Sequence, residues 1–332
     1  MQKAQHKYHK STSITRGGTR MGQAKAKPKK KKGELKKYFA SHKWLYLLFA
    51  PGMLYFIIFK YLPMFGVAIA FQQFSPYLGY TGSPWVGLYH FKNLFAGSDF
   101  KMLLVNTLSI SILNLIFYFP MPIILALLLN EMRWQGFKRV AQTLVYIPHF
   151  ISFVIVATLT VQLFNIQDGI VNQIIQSITG HTINILGLPQ CFKGLIVGQN
   201  IWKETGYGTI IFLAALAGVD MELYEAAKVD GAGRLRLLWH ITLPAIRGTI
   251  VLMLILKVGS ILNTGYEQIF LMANDLNASK AEVFDTYVYK RGIIMGQYSY
   301  STAVGLFKSV VGMIMVLSSN WIAKKCGESG LY

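Results

Sequence analysis

The chain is 332 residues long, 53% apolar and only 14% charged, a balance that excludes an ordinary soluble domain, whose surface could not be solvated once the core was filled. Its formal net charge of +19 would raise nucleic acid as a partner, yet 14 of the 33 basic residues fall within the first 43 positions, which makes a tail and not a reading surface. Cys191 and Cys326 lie far apart with no C-x-x-C around either, so they imply neither a zinc site nor a disulfide framework.

Residues 1–43 are low in complexity, with Lys29, Lys30, Lys31 and Lys32 in one run, and they lack the apolar side chains needed to fold. A disordered basic cytoplasmic tail is expected, with contact to anionic lipid as the second reading. The first apolar stretch, Trp44 to Phe71, is too long and too late for a cleaved signal peptide and should stay as a membrane anchor. A hydrocarbon core of about 30 Å needs roughly 20 helical residues. Stretches of that length recur at Met102 to Leu129, Val140 to Phe164, Leu195 to Ala217, Thr249 to Leu271 and Ala303 to Ala323. The fold class predicted is therefore an all-α membrane protein of about six transmembrane helices, with a membrane domain over 44–325 and a short C-terminal tail, 326–332.

Among the connections, residues 72–101 mix Gly, Pro, Ser and aromatics as a folded surface loop does, and residues 165–194 should hold a short amphipathic helix around Ile170 to Ile178. Sidedness follows from Lys and Arg counts. With the N-terminus inside, 23 basic residues fall in cytoplasmic segments and 6 outside, while Lys60, Lys203, Lys257 and Lys308 lie in or at the edges of spans. Both termini are expected to be cytoplasmic.

The longest internal cytoplasmic loop runs from Asp220 to Gly248. Asp220 can cap a helix through Lys228 that carries Leu223, Ala226 and Ala227 on one face, with Glu222 and Glu225 favoured near its N-terminus. Asp230 and Gly231 supply turn chemistry. A second helix, Arg234 to Thr242, presents Leu235, Leu238, Trp239 and Ile241, and Pro244 should end it before the fifth span. This predicts a compact docking element, or failing that an interfacial hairpin lying on lipid.

Glu225, Ala226, Ala227, Asp230, Gly231, Ala232, Ile241, Leu243 and Pro244 match at fixed spacing the EAA signature, E-A-A-x-x-D-G-A followed by I-x-L-P. On these residues the chain resembles the binding-protein-dependent permeases of ABC transporters. Phe284 to Tyr289 and Tyr298 to Gly312 are similar to the polysaccharide and oligosaccharide branch of the maltose-type carbohydrate importers, as is the long basic N-terminus. The resemblance covers about residues 40 to 325, with one departure at Gly248, where relatives often carry a proline. It implies a type I ABC importer permease in a bacterial cell membrane, with 220–248 as a coupling-helix loop seated in a cleft of an ATPase subunit. Glu225, Ala226, Ala227, Asp230, Gly231 and Pro244 would form the coupling set. The partners implied are a second homologous permease, two ATPase subunits and an extracytoplasmic sugar-binding protein. The implied substrate is an oligosaccharide, and this chain would hold no cofactor, ATP and Mg being bound by the ATPase.

Polar groups at membrane depth are default candidates for a pathway. They are Asn200, Trp202, Lys203, Glu204 and Tyr207 in the fourth span, Asn263, Tyr266, Glu267 and Gln268 in the fifth, and Lys308 in the sixth. Trp202, Tyr207, Asn263 and Tyr266 combine aromatic faces with amides, the mixture that binds sugars, and Glu267 and Lys308 complete the candidate set. In the blander reading, Lys203 pairs with Glu204 or Glu267 and the asparagines only bond neighbouring helices. Lys257 and Lys308 would suit a uronate-containing oligosaccharide, unless both snorkel or pair with the partner permease. No phosphate-binding G-x-x-x-x-G-K-[ST] occurs, and the seven histidines make no H-E-x-x-H and no close pair inside a span, so neither catalysis nor a metal is expected here. The competing readings are an ion-coupled secondary transporter, against which the absence of an internal repeat counts, and a membrane glycosyltransferase, for which Asp168 and Asp275 lack an acidic companion.

Overall fold

A computed structural model describes residues 41–328, 330 and 331; the basic tail expected over 1–43 lies almost wholly outside the described residues. The chain divides into two units, residues 1–62 and 63–332. In the first, α1 (Lys43–Phe56) carries Pro51 in its interior, buries none of its side chains and passes into a π turn at Ile57–Tyr61.

In the second unit every regular element among the described residues is helical, and a lone bridge pairs Gln72 with Trp85. The loop after the first span carries α2 (Tyr89–Ala96). Then come α3 (Asp99–Leu113), a π turn at Asn114–Tyr118 and α4 (Pro120–Glu131), followed by α5 (Gln135–Tyr146) and α6 (Phe153–Phe164). The short amphipathic α7 (Ile170–Thr179) leads into the long α8 (Pro189–Ala217). The loop helix α9 (Met221–Val229) precedes α10 (Arg234–Leu237), a π turn at Leu238–Thr242 and α11 (Leu243–Gly259). Three short helices, α12 (Tyr266–Met272), α13 (Ala278–Ala281) and α14 (Phe284–Tyr289), precede α15 (Tyr298–Lys325).

Four helical runs are long and apolar enough to cross a bilayer: Lys43–Phe71, Asp99–Glu131, Arg234–Gly259 and Tyr298–Lys325. They contain the first, second and sixth predicted spans and part of the fifth. The third predicted span, Val140 to Phe164, is broken instead: Gln135–Phe150 and Phe153–Phe164 meet at 97°. Pro148 sits in a 3-10 turn, Ile147–Phe150, the backbone extends at Ile151, and the Ser152 hydroxyl accepts from the Ile155 N–H to start a new helix. The fifth predicted span, Thr249 to Leu271, also differs. Its helix begins at Arg234 and ends at Gly259; residues 260–265 turn, and Tyr266, Glu267 and Gln268 ride on the separate α12. Nor does Pro244 end a helix. The Leu243 N–H reaches back to Leu238 across the π turn, which leaves Pro244 in the first turn of α11, where a missing N–H is harmless. The same arrangement precedes Pro120, the Phe119 N–H donating to the Asn114 carbonyl at 2.9 Å.

Buried side chains gather in three clusters, around Ile110, Phe192, Ile196 and Ile269, around Leu103, Phe284 and Val304, and around Ala126, Phe212 and Ile246. Small residues bring the long helices together. A Cβ on Gly206 of α8 would overlap the Val145 carbonyl of α5, and one on Gly312 of α15 would lie 2.7 Å from the Gly259 carbonyl oxygen.

Candidate functional site

Helices α3, α8, α11 and α12, with the first π turn of the second unit, surround a cavity of about 480 Å³. Asn114 enters it because the π turn before Pro120 widens the helix there, and the Asn200 amide donates to its Oδ1 at 3.0 Å. Lys257, in the last turn of α11, holds its ammonium 5.1 Å above the Tyr118 ring. None of the six ion pairs among the described residues includes Lys257. Glu204 also lines the cavity, but its charge is balanced, with Lys203 Nζ at 3.0 Å and His149 Nδ1 at 2.7 Å. Lys203 is buried, and it satisfies a second donor on the His149 carbonyl at 2.6 Å. One wall is closed by amides: Gln268 donates to the Ile196 carbonyl and to Gln199 Oε1, each at 2.9 Å, and Gln199 donates to the Thr160 hydroxyl at 2.7 Å.

The residues proposed for a pathway separate in space. Asn263, Tyr266 and Glu267 line this cavity; Asn263 lies in the turn after α11, and Glu267 is exposed and makes no ion pair among the described residues. The Tyr266 ring packs on Phe270 and Tyr289. Trp202 faces an apolar groove between α6, α7 and α8, and Tyr207 stacks on the His149 ring with centroids 3.9 Å apart. Lys308 forms a largely buried ion pair with Asp285, which also accepts from the Thr264 N–H at 2.9 Å, so its charge is spent in packing α15 against α14. Asn114, Tyr118 and Ser111 line the cavity and were not among the sequence candidates. Asn114 was readable as an isolated polar group inside an apolar stretch; the other two offered no signal.

At the loop, the Asp220 carboxylate caps α9 by accepting from the Glu222 N–H at 3.0 Å. The helix ends in a Schellman turn, with Ala232 N–H donating to the Ala227 carbonyl and Gly231 N–H to that of Lys228, around Gly231 at φ +77°. Tyr224 donates its hydroxyl to Thr242 at 3.0 Å and so ties α9 to the π turn that leads into α11. Glu225 and Ala226 are exposed and Ala227 is half-buried. Beside them Val229 is 89% exposed and Leu235 74%, apolar surface that no other described residue covers.

A helical protein with a polar cavity among its apolar helices and a rigid, half-apolar loop has the architecture of a membrane transport subunit. Residues 119–327 match the model of the family described as binding-protein-dependent transport system inner membrane component. The chain is 59% identical over 290 residues to Protein LplB of Bacillus subtilis (strain 168), a match covering 87% of this chain and 91% of that protein. It is 52% identical over 304 residues to the polygalacturonan/rhamnogalacturonan transport system permease protein YteP of the same organism, covering 92% of this chain and 95% of that protein. A solved bacterial alginate ABC transporter, in complex with an alginate pentasaccharide-bound periplasmic protein, contains a chain that superposes with a TM-score of 0.82 at 38% identity, over 90% of this chain and 100% of its own. The protein belongs to the binding-protein-dependent inner-membrane permeases of ABC transporters and has their type I fold. Membership removes the ion-coupled transporter and the glycosyltransferase as readings, and leaves ATP hydrolysis to a partner.

Proposed function

We propose that this chain imports a uronate-containing oligosaccharide through the 480 Å³ cavity, delivered by an extracytoplasmic binding protein and driven by ATPase subunits that dock on α9. The observation that carries this reading is Lys257, a cation without an ion-pair partner among the described residues, facing a cavity that also offers the Asn200 and Asn263 amides, the Tyr266 ring and the Glu267 carboxylate. A sugar ring stacks its C–H face on an aromatic, its hydroxyls pair with amides and carboxylate, and a carboxylated sugar alone balances the charge of the ammonium. The polygalacturonan, rhamnogalacturonan and alginate named for the relatives are polymers that contain acidic sugars, which supports the same choice. In the assembly we propose, a second homologous permease closes the cavity, two ATPase subunits bind ATP and Mg, both termini lie in the cytoplasm, and this chain itself holds no cofactor.

Uptake into vesicles reconstituted with all subunits tests the cavity. Losing one charge-assisted hydrogen bond, about 1.5–3 kcal/mol, should raise the KM for trigalacturonate about tenfold or more in Lys257→Gln, with ATPase stimulation by the loaded binding protein retained. Uptake unchanged in KM would show that the acidic group travels elsewhere.

A further inference from the structure

A second polar cavity, of about 550 Å³, opens beside the N-terminal ends of α3 and α15. The 28 residues of α15 extend about 42 Å, and just beyond its other end Glu328 pairs with Arg247 at 2.5 Å, at the foot of the loop-bearing run. The cavity and α9 therefore belong to opposite ends of the membrane domain; with α9 inside, as proposed above, the cavity faces outward. It is built rather than incidental. The Phe74 N–H donates to the Ser299 hydroxyl at 2.9 Å, and His90 Nε2 lies 3.1 Å from the Gln72 carbonyl, so the segment after the first span is pinned to both α15 and α2.

Arg291 is its one cationic side chain. The guanidinium lies 3.6 Å from Asp99 Oδ2, beyond hydrogen-bond length, and 5.2 Å over the Tyr287 ring, and it donates no hydrogen bond to another described residue. Asp99 instead accepts from the Tyr287 hydroxyl at 3.3 Å. Tyr89 and Tyr298, at 53% and 39% exposure, stand at the rim, and the Asn93 and Gln297 amides also line it. A guanidinium held only by a long 3.6 Å ion pair, with aromatic faces and amides beside it, is the chemistry that holds a carboxylated sugar. The α14 helix separates this cavity from the central one, turning Asp285 to Lys308 and Thr264 on one side and Tyr287 into this cavity on the other.

We propose that this outer cavity is a second saccharide-binding site, an entrance subsite that takes one uronate unit of the incoming chain, with the carboxylate on Arg291 and the ring face on Tyr89 or Tyr298. It would hold the oligosaccharide between its release from the binding protein and its passage to Lys257.

The test is equilibrium binding of digalacturonate to the assembled transporter in nanodiscs. Arg291→Gln should weaken binding in the Lys257→Gln background about tenfold, the loss of one charge-assisted bond. Asp99→Asn should do the opposite and tighten it, because it removes the carboxylate that competes for Arg291; maltose binding should respond to neither. A purely structural Asp99–Arg291 contact would make both changes weaken binding alike, which overturns the proposal. So does Arg291→Gln abolishing ATPase stimulation by the binding protein while digalacturonate affinity stays constant, which would make the surface a protein-docking contact. If Lys257→Gln alone changes nothing and Arg291→Gln removes all binding, the entrance site stands and the central-cavity reading fails; the reverse pattern keeps the central site and rejects this one.

Discussion

A Cβ added at Gly231 would meet no atom within 4 Å, so the first carbon of any substitution there reports backbone torsion rather than a clash. At φ +77° a residue with a Cβ loses about 1–2 kcal/mol. Gly231→Ala and Gly231→Leu should therefore lower the thermal midpoint of the detergent-solubilised chain by similar amounts, and Gly231→Asn by less, since Asn tolerates left-handed torsion. A Leu effect far beyond the Ala effect would reveal a crowding that torsion does not explain. The D-G pair following a capped helix made this position readable from sequence alone. Lys308 was not readable in that way. Its partner Asp285 lies 23 residues earlier on a different helix, so only the packing of α15 on α14 turns an apparent pathway cation into half of an ion pair. Lys203 and Glu204 were legible as neighbours, but the carbonyl of His149 that makes their burial tolerable comes from the turn at the broken third span.

On the scale of elements, α9 presents one rigid face because both its ends are capped and its middle is tied by Tyr224 to Thr242. Glu225 projects from that face, and reversing its charge should repel whatever basic group it meets on an ATPase, at about 2–5 kcal/mol for a desolvated contact. Glu225→Lys should thus insert and receive binding protein normally yet lose ATPase in a pull-down, or hydrolyse ATP without uptake. Wild-type uptake with ATPase still bound would sink the coupling role. Apolar length found the elements but not their breaks. Val140 to Phe164 reads as one span because bilayer and protein interior reward the same side chains; the break rests on Pro148 and Ser152, local signals inside a stretch whose average hides them. Likewise Ser260 to Gly265 is a cluster of turn residues set between two apolar segments, and a window averaging over it joins α11 to α12.

Across the molecule, the Arg247–Glu328 pair brings the far end of α15 to the base of the α9 loop, whereas Asp99 and Tyr298 mark the opposite end. With α9 inside, as proposed, single cysteines introduced after replacing Cys191 and Cys326 should label from outside at Gly82 and Gln297 and only after permeabilisation at Gly136 and Gly233. Outside labelling at Gly233 would reverse the topology. The assignment of sides rests on the basic-residue count, which draws most of its weight from residues beyond those described. The polarity of α8 has a consequence for how the protein is made. Its 29 residues are absent from the four runs apolar enough to cross alone, because it carries Gln199, Asn200, Lys203 and Glu204 in its middle. Thr160, Asn114 and His149, which accept from Gln199 and Asn200 and pair with Lys203 and Glu204, precede α8 in the chain and leave the ribosome first; only Gln268, the partner of the Gln199 carbonyl, and Met272 follow it. Helix α8 therefore finds most of its polar partners already made when it emerges, and its entry into the bilayer should depend on the helices translated before it.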